Sequence, residues 1–274
     1  MGIPSYFKHV IQRYRSIIRK YDKSLRIDNL YLDSNSIIYD AVRSDSVKDA
    51  KDIEAAILNE VVSKITFYIK TIQPKNKVFI AFDGVAPAAK LSQQKTRRYK
   101  GQIEKGCHES MGIKIDKCWD TTAITPGTAF MDKLNTHLSK SFKRTAKFGV
   151  KEIMVSAPNE AGEGEHKIFE FIRNNKDYHD TTKTAIYGLD ADLLMLTLNH
   201  LRCAKNLFLF RETPHFIRTI DSSLEPDQNY LMDMPEMAKA ITIDLNDGND
   251  IQNESQRQRM YDYVFICFLL GNDF

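Results

Sequence analysis

Carboxylates recur in this sequence of 274 residues just past short apolar runs. Asp33 ends YLD, Asp83 ends VFIAFD, Glu163 and Glu165 follow IMVS after a short loop, and Asp190 and Asp192 close AIYGLDAD. A further acid, Asp273, follows FICFLLGN. Apolar runs of this kind read as buried strands, and in open α/β sheets sites form beyond the carboxyl ends of the strands. Carboxylates gathered at one edge repel and raise one another's pKa, so a fold that keeps them together needs a cation there. An all-oxygen set suits Mg²⁺ or Mn²⁺ rather than zinc. Two such ions would stabilise both the attacking and the leaving oxygen of a phosphodiester. Taken singly, each acid has a plainer explanation. An Asp after a strand caps a helix or fills a turn, and a Glu at a helix start is favoured by the dipole. The recurrence after four strands is what points to metal-dependent phosphate chemistry.

A second set of groups adjoins the first. Residues 90–105 read KLSQQKTRRYKGQIEK, and Lys90, Gln94, Arg97 and Arg98 stand at i, i+4, i+7 and i+8. On a 3.6-residue period they share one helical face. Two guanidiniums, an ammonium and an amide suit a terminal phosphate, because Arg binds it in a fork and Gln adds donors. A solvated cationic helix is the bland alternative. The position of this helix shortly after Asp83 favours the phosphate reading. His166 follows the acids and is expected to support them rather than to hold the ion itself.

The elements that must position these groups follow from periodicity. Residues 5–20 alternate apolar and basic residues at helical spacing, NLYLDSNS reads as a strand with a polar end, and residues 52–72 form a long amphipathic helix with Asp52 as cap. Strands are expected at 77–82, 152–156, 184–189 and 206–210, with helices at 88–104, 128–146, 163–174 and 257–271 between and after them. The polar segment 221–256 has no clear pattern. Strands alternating with helices imply an α/β fold, with a mostly parallel central sheet flanked by helices on both faces. Hydrophobic residues make up 42% and charged residues 27% of the chain, at a net charge of +3, which excludes a disordered polyelectrolyte and allows a sizeable core. The run of about 18 apolar residues needed to cross a membrane does not occur. MGIPSY is no signal peptide, and Tyr6 breaks the myristoylation pattern. Cys107, Cys118, Cys203 and Cys267 fit no common zinc spacing and are expected to be buried, reduced thiols.

Together the segments MGIPSYF, NLYLDSNSII, FDGVAPAAKLSQQKTRRY, ITPGTAFM, GEGEHKIFEFIR, YGLDADLLML and FLLGNDF resemble, in this order, the Xrn-type 5′→3′ exoribonucleases. More distantly, the acidic pattern is similar to flap endonucleases and other PIN-like nucleases. The resemblance implies a PIN-like, 5′-nuclease type of fold over residues 1–274 as a single nuclease domain, without the large segment that follows it in the family. It implies metal ligation by Asp33, Asp83, Glu163, Glu165, Asp190, Asp192 and Asp273, and a 5′-phosphate pocket of Lys90, Gln94, Arg97 and Arg98. That pocket is too tight in the family for caps or triphosphates. Lys90 would also balance charge in the transition state. The implied activity is processive, Mg²⁺- or Mn²⁺-dependent hydrolysis of 5′-monophosphorylated single-stranded RNA to nucleoside 5′-monophosphates, in RNA decay. Tyr39 stands where the family usually has a His that stacks on the first base, and Ala88 where many members have Arg. An aromatic at 39 still stacks. The expected protein is a monomer without a membrane partner, cytoplasmic by default with the nucleus as alternative. The rival readings are a DNA- or flap-directed 5′-nuclease and a non-catalytic RNA-binding remnant.

Overall fold

The computed structural model describes residues 3, 5–111, 119–156, 159–214, 217–249 and 253–271. Its strands are β1 (Ile18–Lys20), β2 (Asn29–Asp33), β3 (Lys77–Ala81), β4 (Glu152–Val155), β5 (Thr184–Tyr187), β6 (Leu207–Glu212) and β7 (Asn229–Asp233). They form one sheet in the order β1-β7-β6-β5-β2-β3-β4. From β6 to β4 all neighbours are parallel, while β7 runs antiparallel to β6 and β1 antiparallel to β7. The helices are α1 (Tyr6–Arg13), α2 (Asn35–Arg43), α3 (Asp45–Lys48), α4 (Ile53–Ile72), α5 (Ala88–Ser110), α6 (Ala129–Ser141), α7 (Gly164–Asn174), α8 (Lys176–Thr181), α9 (Asp192–His200), α10 (Ile217–Ile220), α11 (Met234–Leu245) and α12 (Glu254–Leu270).

The continuous apolar strands have a direct cause. Successive side chains point to opposite faces, and here both faces are covered. Leu30, Leu32, Val78, Ile80, Ala185, Tyr187, Phe208 and Phe210 enter a core shared with α2, α4 and α6. Tyr31, Phe79, Ala81, Ile186, Leu207 and Leu209 enter a second core with α1, α7, α9, α11 and α12. After β2 the chain moves outward to β3 and β4, then returns to place β5 on the other side of β2. Between β2 and β5 the strand order therefore reverses, and a crevice opens at such a point beyond the carboxyl ends.

The expected α/β architecture is present, with four corrections in detail. Residues 5–20 are not one helix. α1 stops at Arg13, where Tyr14 leaves helical geometry with φ −123°, and Ile18–Lys20 becomes an edge strand. Arg15, Arg19 and Lys20 pair with Asp221, Asp233 and Glu225, so tertiary contacts override the helical spacing. The expected helix 128–146 ends at Ser141, and Thr145–Phe148 turns as a 3₁₀ helix closed by Gly149 at φ 70°. The segment without a pattern holds β7 and α11, the latter capped by Asp233, whose side chain accepts from the Glu236 amide. Finally, Cys267 is buried, but Cys203 is partly exposed and Cys107 exposed, all three being free thiols. As expected, Asp52 caps α4 by accepting from the Ala55 amide at 3.0 Å.

Candidate metal centre

Three strand ends and the starts of α7 and α9 meet beside the crevice. Asp33 is the last residue of β2, Asp83 lies just past β3, and Asp190 follows β5. Glu163 is the N-cap residue of α7, Glu165 stands in its first turn, and Asp192 opens α9. The start of α7 is glycine for a steric reason. A Cβ on Gly164 would stand 2.5 Å from Asp33 Oδ1 and 3.1 Å from the Ala81 carbonyl oxygen. With no side chain there, the Gly164 amide donates to Asp83 Oδ1 at 2.8 Å, and the positive end of the helix faces the acids. The loops after β3 and β4 are laced by the Gly84 amide donating to the Gly162 carbonyl at 2.8 Å and the Gly162 amide to the Val85 carbonyl at 3.0 Å.

The electrostatics show that these groups share one field. Burial, then repulsion from Asp83, Glu165, Asp190 and Glu163, holds the Asp33 carboxyl well above the usual carboxylate range. Burial pushes Glu165 up to about 7, with Glu163 and Asp190 adding to the rise and His166 and Lys90 opposing it. Burial also dominates the rise at Asp83. Glu163, 4% exposed, goes the other way. Burial would raise it, but His166 and Lys90 together bring it below its ordinary value. Lys90 Nζ lies 2.7 Å from Glu163 Oε2, and His166 Nδ1 lies 3.5 Å from the same oxygen. Glu163, Glu165 and His166 offer ligand atoms all within 4.8 Å of one another. A crowded carboxylate set that two cations balance only at Glu163 fits a hard divalent ion.

The structure thus brings Asp33, Asp83, Glu163, Glu165 and Asp190 into one electrostatic neighbourhood, while Asp192 stands two residues past Asp190 at the start of α9. Asp273 lies outside the described residues, as does the side chain of Arg97. Of the face of α5 expected to take a phosphate, Lys90 and Gln94 are partly buried and Arg98 is exposed, with Lys90 turned onto Glu163. Tyr39 on α2 packs in part against the neighbouring core.

Three supporting residues escaped the sequence reading. Asn35 donates to Asp83 Oδ2 at 2.5 Å and accepts from the Asp83 amide at 3.1 Å. The buried Lys167 donates to the Phe82 carbonyl at 2.9 Å. Arg211, on β6, donates to the Leu189 carbonyl at 3.0 Å. Asn35 left a trace in the polar triplet after Asp33, and Lys167 in its place next to His166; Arg211 left none.

Comparison with known proteins identifies the family. The family described as XRN 5'-3' exonuclease N-terminus matches residues 1–213. A relative named 5'-3' exoribonuclease 1 from Saccharomyces cerevisiae is 34% identical over 297 residues, covering 100% of this chain and 19% of the relative. The human protein of the same name is 30% identical over 295 residues, covering 100% of this chain and 17% of its own length. The 5'-3' exoribonuclease 2 of Eremothecium gossypii is 30% identical over 346 residues, again across 100% of this chain and 35% of its own. This chain therefore spans about a third or less of the relatives it matches. Among solved structures, the catalytic core of Rad2 in complex with a DNA substrate covers 99% of this chain and is itself covered over 62%, at a TM-score of 0.47 and 16% identity, too low to argue from. By its sequence match across most of its length, the chain belongs to the XRN 5′–3′ exonuclease N-terminus family.

Proposed function

We propose that this chain is a metal-dependent 5′→3′ exoribonuclease acting on single-stranded RNA with a 5′-monophosphate. The observation that carries the reading is the convergence of five carboxylates on one sheet edge, with Lys90 joining them to the basic face of α5. Asp33, Asp83, Glu163, Glu165, Asp190, Asp192 and Asp273 would hold Mg²⁺ or Mn²⁺, as two ions. Bound there, the ions supply an activated water and charge neutralisation at the leaving 3′-oxygen.

The chain's own residues do the rest. The 5′-phosphate docks on Lys90, Gln94, Arg97 and Arg98, residue types that supply the donors a terminal phosphate takes. Lys90 can trade its Glu163 partner for a phosphate oxygen without leaving the edge, which sets the terminal phosphate beside the scissile one. Tyr39 receives the first base by stacking. Gly164 lets Asp33 approach the start of α7, and the Gly164 amide and Asn35 fix the Asp83 carboxylate. No covalent nucleophile is needed. Among the described residues no helix is long and apolar enough to cross a membrane. The partner proposed is single-stranded RNA, met by a monomer in the cytoplasm or the nucleus.

The test uses a 5′-monophosphorylated RNA labelled at its 3′ end, with Mg²⁺ and an Asp190→Asn control. The RNA should shorten from its 5′ end, while 5′-hydroxyl and 5′-triphosphate versions survive. Equal cutting of DNA of the same sequence would favour a DNA-directed nuclease, since only RNA carries the 2′-hydroxyl. Phosphate-dependent binding without turnover would favour a non-catalytic RNA-binding protein.

A further inference from the structure

Arg211 sits where β6 passes the end of β5, and it is 7% exposed. Its guanidinium lies over the ring of Phe7 on α1, 3.8 Å from the centroid. Its Nη2 donates to the Leu189 carbonyl at 3.0 Å. Its Nε has no hydrogen-bond partner among the described residues. Burying a cation is costly unless an opposite charge compensates it. The compensating charge here is Asp190, whose field acts on the guanidinium against the burial that depresses it. The chain beyond β5 is tied to β6 as far as Gly188, whose amide donates to the Phe210 carbonyl at 3.4 Å. Leu189 comes next, and Asp190 follows it, exposed at the edge.

We propose that Arg211 is a positioning residue of the acidic centre: clamped between the Phe7 ring and the Leu189 carbonyl, it fixes the backbone that delivers Asp190, and so makes the N-terminal helix part of the machinery that holds the metal. The inference rests on the metal-dependent nuclease reading above. An arginine is required because a planar fork donates in its plane while its face lies on an aromatic ring; a lysine does one or the other. The Phe of MGIPSYF thereby acquires a task, as the lid that keeps the guanidinium flat and dry.

Two effects of opposite sign separate positioning from charge. If Arg211 acted only through its charge, removing it would tighten cation binding at the acids. If it acts by holding Leu189, both Arg211→Met and the charge-preserving Arg211→Lys weaken binding. The experiment measures Mn²⁺ affinity of the full chain by electron paramagnetic resonance, together with kcat and KM on 5′-monophosphorylated RNA, with Asp190→Asn as reference. Both Arg211 variants should raise the Mn²⁺ Kd about tenfold or more, as loss of a supporting group around a metal ligand does. They should lower kcat at limiting Mn²⁺ while KM for RNA stays within about twofold, because α5 is untouched. Phe7→Leu should shift the Kd in the same direction by less. If Arg211→Met does not fold, Arg211→Lys and Phe7→Leu decide. Unchanged or tighter Mn²⁺ binding in Arg211→Met, or wild-type behaviour of Arg211→Lys, overturns the proposal. Should the wild type bind Mn²⁺ and Asp190→Asn lose it while the Arg211 variants match the wild type, only Arg211's role falls. A wild type that neither binds Mn²⁺ nor cuts RNA removes the nuclease reading and this inference with it.

Discussion

At the scale of single residues, the site consists of carboxylates and the groups that aim them, and the two differ in how visible they are. The acids announce themselves because each follows an apolar run. Their supports do not, because the partners are far apart in the chain: Asn35 and Asp83 by 48 residues, Lys167 and Phe82 by 85, Arg211 and Leu189 by 22. Asn35 is the clearest case. It gives Asp83 one bond and takes another, so Asn35→Ala removes the side-chain clamp that works beside the Gly164 amide. Metal affinity should fall about 10- to 100-fold, read as a rightward shift of the Mg²⁺ dependence of RNA cleavage; an unshifted curve would mean that Asp83 does not need this clamp. A second prediction concerns pH. Glu165 is pushed up to about 7 and Asp33 well above its ordinary range. Each therefore binds its proton more tightly folded than unfolded. The stability this adds is complete below the unfolded value and lost as pH rises through the folded one. Glu163, held low, contributes with the opposite sign. The metal-free protein should melt at progressively lower temperature between pH 5 and 8, as these coupled carboxyls give up their protons. Excess Mg²⁺ should flatten the curve, because it takes the place of the protons. A midpoint that rises with pH in the absence of metal would contradict the assigned direction.

At the scale of elements, two loops and one helix start bring the acids into register. A Cβ on Gly84 would meet the Glu160 carbonyl oxygen at 1.6 Å, a backbone atom with no soft way to yield. Gly84→Ala should force the loops after β3 and β4 apart and cost both thermal stability and cleavage. Gly101, inside α5, has nothing within 4 Å of a built Cβ. Gly101→Ala should leave cleavage intact and raise stability by up to about 1 kcal/mol, the helix preference of Ala over Gly. Calorimetric melts and initial rates of the two variants check both, and similar losses in the two would mean that α5 bears load along its whole length. The same elements show what a sequence reveals. β2, β3, β5 and β6 are legible because burial on both faces writes an apolar run. β1 is not, since three residues paired at an edge cannot outweigh the helical spacing around them. β7 and α11 were hidden too. NYLMD is a buried strand between polar flanks, and Asp233 serves at once as the last residue of that strand and the cap of the helix after it. The cap does leave a trace, since Pro235 and Glu236 follow Asp233 in the first turn, but the three apolar residues of the strand before it are too few to stand out from their polar flanks.

At the scale of the whole molecule, the two cores and the acidic edge have separate physical duties. The cores close on either face of the sheet without any of the site carboxylates. The carboxyl edge can therefore carry mutual repulsion that the cores offset. This separation predicts that stability and function part company at Asp33, the group on which four other acids act. Asp33→Asn keeps the shape of the side chain and removes its charge. In metal-free buffer at pH 8 the variant should melt above the wild type, by about 2–4 °C for each kcal/mol of repulsion relieved in a chain of this size. As the pH falls the two should converge, because the wild-type carboxyl, its affinity for the proton raised by burial and by its neighbours, loses its charge as well. Added Mg²⁺ should raise the melting temperature of the wild type and leave the variant nearly unmoved, while cleavage of 5′-monophosphorylated RNA disappears. A variant that melts lower than the wild type at pH 8 without metal would show that the Asp33 carboxylate is held by the protein itself and not by an ion, and the metal assignment of the whole edge would have to be rebuilt from Glu163 and Glu165 outward.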